Sequence, residues 1–193
     1  MALALPGATG SLDAKVRLTG PTRTPRIGGA ARVSDVVWDD LRAARFSLEA
    51  DVDLAPAGQI VLSASGDDLG TESFAVDHAT LEVVGSRDAH RLEFVAGPQK
   101  GDAGPAVMVA AKGGLDSGWT WRGTLAELVT TTPKAGRWSL ASPTALRIAA
   151  DSAGLERACL QGSGATGGRL CARGQWKANA AENAGSWSVT AEL

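Results

Sequence analysis

Apolar and charged residues alternate along this chain with a period of two. Leu12, Ala14, Val16 and Leu18 are separated by Asp13, Lys15 and Arg17, and Phe46, Leu48, Ala50, Val52 and Leu54 by Ser47, Glu49, Asp51 and Asp53. In an extended strand that spacing gives one greasy face and one wet face, whereas a helix would scatter the same residues around its axis. Ile60, Leu62 and Ala64 follow the turn Pro56-Ala-Gly58, so residues 45–65 read as a hairpin. Phe74 with Val76, Leu81 with Val83, Leu92 with Phe94 and Val107 with Val109 continue the cadence. Trp119 and Trp121 with Leu125, Leu146 with Ile148, and Trp187, Val189 and Ala191 complete it, giving about a dozen strands.

Breakers separate these runs: Gly20-Pro21, Gly28-Gly29, Gly66-Asp67-Asp68, Gly97-Pro98, Gly104-Pro105, Gly113-Gly114, Thr132-Pro133 and Ser142-Pro143. Glycine supplies positive φ and proline removes a ladder donor. Short strands with such punctuation predict an all-β, antiparallel architecture. One stretch competes, because Val37, Leu41 and Ala44 lie at helical spacing behind a Ser34 cap. The β-branched pair Val36-Val37 favours a strand-turn-strand through Asp39-Asp40 instead. Ala178 to Gly185 is small, polar and unpatterned, and reads as a loop.

Residues 157–176 are close to a palindrome centred on Ala165. Folded back as a hairpin, Cys159 faces Cys171, Leu160 faces Leu170 and Gln161 faces Arg169. Opposed cross-strand Cα atoms sit about 4.5 to 5.5 Å apart, within reach of a disulfide. A Cys159–Cys171 bridge is therefore expected in preference to two buried thiols, and with it an oxidising compartment.

Composition removes several classes. Lys and Arg total 19 against 21 Asp and Glu, a net charge of -2 with no basic cluster beyond a scattered pair, so nucleic acid is not an expected partner. No apolar run approaches the roughly 18 residues of a membrane span. The start, Met-Ala-Leu-Ala-Leu-Pro-Gly, lacks a signal peptide's basic n-region and long apolar core. An oxidised chain needs an export or anchoring element, so Met1 reads as an artificial start and residues 1–193 as one sheet segment of a longer protein.

No constellation of residues names a reaction or a cofactor. Gly114-Leu-Asp-Ser117-Gly118 only approximates a nucleophile elbow, and the chain holds two histidines, His78 and His90, both at positions suited to hydrogen-bonded surface or edge roles. They lack the ligand spacing of a zinc site even with Asp77 and Asp88 beside them. Asp39-Asp40 and Asp67-Asp68 are imaginable as glycosidase carboxylates or a calcium loop, but aspartate is favoured at turns for its own backbone hydrogen bonds. Trp119 and Trp121 share one strand face and are expected to be buried together.

The run Gly136-Arg-Trp138-Ser-Leu140-Ala-Ser-Pro143, then Leu155-Glu-Arg-Ala-Cys159-Leu160, then Gly168-Arg-Leu170-Cys171-Ala-Arg-Gly174-Gln-Trp176, then Trp187 with Val189, resembles the TamB translocation and assembly module family and its AsmA-like relatives of Gram-negative bacteria. The resemblance extends in style to Leu12–Gly20, Pro25–Gly29 and His90–Phe94. It implies a long periplasmic protein with an inner-membrane anchor and an outer-membrane barrel partner. The implied fold is a curved, U-shaped sheet with a greasy interior, and the implied work is moving phospholipid or assisting outer-membrane assembly, without catalysis.

The residues agree with that implication. A sheet apolar on one face, with no helix to cover it, must curl or pair with a second sheet; curled but unclosed, it is a gutter for acyl chains. Leu12, Val16, Phe46, Leu48, Val52, Ile60, Leu62, Phe74, Leu81, Leu92 and Phe94 are the residues expected to line it. Two rival readings use the same cadence: an assembly factor lending sheet edges to outer-membrane or autotransporter strands by β-augmentation, and a secreted β-sandwich binding carbohydrate through exposed tryptophans.

Overall fold

A computed structural model of the chain describes residues 8–55, 57–71, 75–98, 104–163, 167–179 and 184–192. Within them the chain forms strands β1 (Ala8–Thr19), β2 (Arg26–Trp38), β3 (Leu41–Asp53), β4 (Gln59–Gly70), β5 (Ala75–Ser86), β6 (His90–Gly97) and β7 (Ala106–Leu115). It continues through β8 (Trp121–Thr132), β9 (Gly136–Leu140), β10 (Thr144–Ala149), β11 (Ser152–Ser163), β12 (Arg169–Asn179) and β13 (Ala184–Glu192). All belong to one sheet, every pairing is antiparallel, and each strand pairs its neighbours in sequence except β9 and β10, which both lie between β8 and β11. The architecture is thus the expected all-β meander.

β9 and β10 share one lane of the sheet. β9 pairs the Val129–Thr132 end of β8 and the far end of β11, while β10 pairs residues 121–125 of β8 and the near end of β11. They are one strand interrupted at Ala141-Ser-Pro143, where proline cannot donate to the ladder. Ala141 still donates to the Cys159 carbonyl at 2.8 Å, which keeps the interruption docked.

Three expected breakers instead lie inside strands. Gly28-Gly29 is in β2, Gly66-Asp67-Asp68 in β4 and Gly113-Gly114 in β7. The glycines sit where another backbone comes close: a Cβ on Gly29 would strike the Lys15 carbonyl of β1, and one on Gly113 the Arg122 carbonyl of β8. The segment Ser34 to Phe46 is strand-turn-strand, with the turn at Asp39-Asp40 and a φ of 52° at Asp39. The loop expected over Ala178–Gly185 is shorter, since β12 runs to Asn179 and β13 opens at Ala184.

A crease crosses β2 to β5. Along each strand the half-buried face advances by three residues at this line: Val33 to Val36, Phe46 to Ala43, Gly66 to Leu69 and Ala79 to Val76. Asp35 and Asp68, at φ of 53° and 51°, absorb the extra residue in β2 and β4. Aspartate tolerates that left-handed conformation better than most residues. Leu69 and Phe94 pack there on Val76, Ala79 and Ala96, a small buried cluster.

Among the described residues no second layer closes over the sheet. The accessible surface is 12964 Å², against about 8,600 Å² for a compact monomer of this mass. Adjacent residues on opposite faces nevertheless differ sharply: Ile60 is 7% exposed and Val61 38%, Ala96 5% and Val95 47%. In a flat single layer the two faces would be equally accessible, so the asymmetry fits a sheet curled toward its apolar side.

Candidate functional site: an uncovered apolar face

Directly paired residues of an antiparallel sheet point to the same face, so the registers trace the apolar surface lane by lane. One row crosses the whole sheet: Leu18, Ile27, Val52, Ile60, Gly85 and His90 on β1 to β6, then Gly113, Gly123, Leu146, Leu155, Gly174 and Val189 through β13. At about 4.8 Å per strand step the row is about 53 Å long. A second row follows Val16, Gly29, Ala50, Leu62, Val83, Leu92, Ala111 and Leu125. A third joins Leu48, Ala64, Leu81, Phe94 and Val109, and a fourth Leu12, Val33, Phe46, Gly66, Ala79 and Ala96.

These rows hold every expected groove residue that is described, namely Leu12, Val16, Phe46, Leu48, Val52, Ile60, Leu62, Leu81, Leu92 and Phe94; Phe74 lies outside the described residues. Sequence reading missed the partners that complete the face, above all the glycines and alanines. Their signal was the position opposite a large residue on the neighbouring strand, which needs the register to be known. Leu12, Val16 and Leu18 on the edge strand β1, and Val189 on the opposite edge strand β13, are the most exposed of the large side chains here.

His90 is the polar member of the long row, and its two ring nitrogens are both engaged. Nδ1–H donates to the Ser86 carbonyl at 2.9 Å, which leaves Nε2 to accept the indole N–H of Trp121 at 2.8 Å. The Trp121 ring covers the side-chain space of both Gly113 and Gly123. Trp138 does the same for Gly162, its cross-strand partner, and donates its own N–H to the Ala135 carbonyl at 2.8 Å. Each tryptophan thereby lies over a glycine floor with its polar atom satisfied. The expectation that Trp119 and Trp121 share an environment does not hold. Trp119 sits in the Asp116–Thr120 turn at a φ of 60° and is 52% exposed, whereas Trp121 is half-buried in β8.

The opposite face is mainly polar and laced with ion pairs, with Val61, Val84 and Val95 exposed among them. The Arg26 guanidinium grips Asp51 with bonds of 3.0 and 2.8 Å and holds its carboxyl below the usual range. Asp67 is likewise lowered, first by the His78 Nδ1–H bond at 2.8 Å and then by Arg45 at 3.0 Å. Asp116 is lowered by the backbone N–H of Thr120, with Arg122 and the Gly118 N–H adding to it. His78 and His90 do not converge, and no metal-holding cluster forms among the described residues. Asp67-Asp68 is within β4 rather than at a turn.

Cys159 and Cys171 are joined in a disulfide, and the pairs Leu160–Leu170 and Gln161–Arg169 stand in register. The bridge lies on the polar side of the sheet, just past a β11 bulge between Leu155 and Ala158. Among the described residues no helix is long and apolar enough to cross a membrane.

Among the described residues the chain is one antiparallel sheet with an ion-paired face and an apolar face, which defines a single-sheet all-β protein. The chain belongs to the TamB family: the model of the TamB N-terminal domain matches residues 1–190. Neither the curated proteins nor the solved structures compared with the chain give a match.

Proposed function

We propose that this chain is a periplasmic stretch of a TamB-type bridge, part of a longer membrane-anchored protein, along which phospholipid acyl chains pass between inner and outer membranes. The single observation that carries the reading is the apolar row running from Leu18 to Val189 across every lane of a sheet with no covering layer. Each acyl methylene removed from water contributes about 0.8 kcal/mol, so a few carbons give affinity. Neighbouring lanes offer similar surfaces, so sliding along the row changes that energy little. Such a surface retains a chain without fixing its position, which suits passage rather than catalysis.

The assembly reading draws on a different observation, the outer edges of β1 and β13, whose ladders are open at the two ends of the sheet. There an outer-membrane strand, or the barrel partner itself, would add by β-augmentation. Carbohydrate binding finds less support, because Trp121 and Trp138 lie on the apolar face over glycines instead of forming an outer row.

Leu48→Asp and Leu62→Asp test the proposal. A charge in an open trough still reaches water, so both variants should stay folded while lipid capture by the chain, and lipid transfer by the full-length protein, are lost. Ser63→Lys, on the polar face between Glu49 and Glu82, should leave both intact. Unfolded Leu48→Asp and Leu62→Asp chains would show a closed core that buries an unpaired carboxylate and end the lipid reading.

A further inference from the structure

Behind the apolar trough, on the polar side of the sheet, β10, β11 and β12 frame a depression of about 680 Å³. Arg147 of β10 stands opposite Gly154 of β11, and Gly154 opposite Gln175 of β12. Arg173 and Lys177 flank Gln175 two residues away on either side, so they point to the same face. The three cations therefore surround a glycine. A Cβ placed on Gly154 would meet no heavy atom within 4 Å, so the floor is open.

The protein offsets this charge only in part, with one carboxylate against three cations. Elsewhere on this face Arg26, Arg45 and Arg122 hold Asp51, Asp67 and Asp116, and at the rim Arg157 is taken by Glu192. Glu156 of β11 also lines the depression, but among the described residues no ion pair joins it or another carboxylate to Arg147, Arg173 or Lys177. Like charges cost stability when gathered, and Arg122, directly opposite Arg147, adds to the cost. The disulfide stands next to this cluster, with Cys171 two residues before Arg173, and fixes β11 against β12 where β11 bulges.

We infer that this depression is a binding site for a compact phosphate-bearing anion. Three cations exceed what a single carboxylate would satisfy, whereas a phosphate group carries up to two charges and accepts paired bonds from guanidinium forks. The glycine floor admits the anion close to the backbone, and Gln175 and Ser188 supply neutral donors beside it. The volume suits a small ligand or a lipid headgroup. The site lies across the sheet from the trough and stands or falls independently of lipid passage.

Titration of the chain with inorganic pyrophosphate at fixed ionic strength tests this. Arg147→Gln and Arg173→Gln should each weaken binding about tenfold, the loss of one charge-assisted contact. Gly154→Val should weaken it as strongly without altering any charge, by filling the floor. Its backbone is not left-handed and its Cβ space is empty, so the fold should persist, as circular dichroism will show. Arg32→Gln, on the polar face of β2, should have no effect. Sedimentation with phosphatidylcholine vesicles containing phosphatidylglycerol then separates the sources. Binding that pyrophosphate competes away identifies a lipid headgroup, and absence of vesicle binding beside retained pyrophosphate binding identifies a soluble phosphorylated compound. No pyrophosphate binding, or full binding by folded Gly154→Val, would overturn the inference, the latter by reducing the effect to diffuse charge.

Discussion

Trp121 donates its indole N–H to Nε2 of His90 at 2.8 Å, tying the start of β8 to the start of β6 across the intervening β7. Because the Ser86 carbonyl takes the Nδ1 proton, the bond fixes the tautomer and satisfies the polar group in an otherwise apolar row. Trp121→Phe should keep most of the ring's cover over Gly113 and Gly123 but strand Nε2, at a cost of about 1 to 2 kcal/mol. Urea unfolding should show it as a lower midpoint at unchanged slope. His90→Phe in the Trp121→Phe background should recover part of the loss, because no half-buried acceptor remains.

Gly113 stands opposite Gly123, where β7 and β8 leave no room for a side chain on either glycine. A methyl group there meets the Arg122 carbonyl and the Gly123 backbone, neither of which is a flexible side-chain end. Gly113→Ala should destabilise the fold by about 1 to 3 kcal/mol as an overpacked site, whereas Gly154→Ala, with open space, should change stability little. Chemical unfolding of the two variants side by side checks the contrast.

Reduction of Cys159–Cys171 releases a loop with a sequence separation of 12. In the chain-entropy model closing such a loop is worth about 3 kcal/mol. Cys159→Ser with Cys171→Ser should lower the unfolding midpoint accordingly while far-UV circular dichroism stays that of a β-sheet. Intact mass before and after reduction of an oxidised preparation should differ by two protons; free thiols in a never-reduced periplasmic sample would contradict the bridge.

Asp67 links stability to pH. His78 and Arg45 hold its folded-state carboxyl below the ordinary value, so the unfolded chain binds that proton more tightly than the folded one. The contribution is therefore full above the unfolded value, about 3.9, and lost as pH falls through the depressed folded value. Asp67→Asn should unfold at a lower temperature than the native chain at neutral pH. That gap should narrow on acidification; thermal scans between neutral and strongly acidic pH measure it.

How much of this was legible depended on contrast between the faces. In β1, β3 and β4 the wet face mostly carries Asp, Lys, Arg, Glu or Ser opposite Leu, Val and Ile, so alternation alone located the strands and put the residues from Leu12 to Leu62 on one face. The hairpin of β11 and β12 was legible down to its register, because its two flanks nearly mirror each other. The crease was not, since Asp35 and Asp68 resemble turn residues and only the three-residue step of their neighbours shows that they sit within strands. Gly28-Gly29 and Gly113-Gly114 misled for a related reason: glycine that admits a neighbouring backbone looks the same in sequence as glycine that reverses the chain. The split of β9 from β10 showed only as Ser142-Pro143, and a proline does not reveal that the next strand continues in the same lane.

Because each lane of the sheet pairs with the lanes next to it in sequence, the sheet is a one-dimensional array whose reach is counted in hairpins. Every added pair of antiparallel strands would lengthen it by about 9.6 Å and leave the registers on either side unaltered, while an odd number would reverse the direction in which the chain leaves. Evolution can therefore match such an array to the distance it must cover by duplicating or deleting hairpins, with no redesign of a common core, because there is no core shared by all of them.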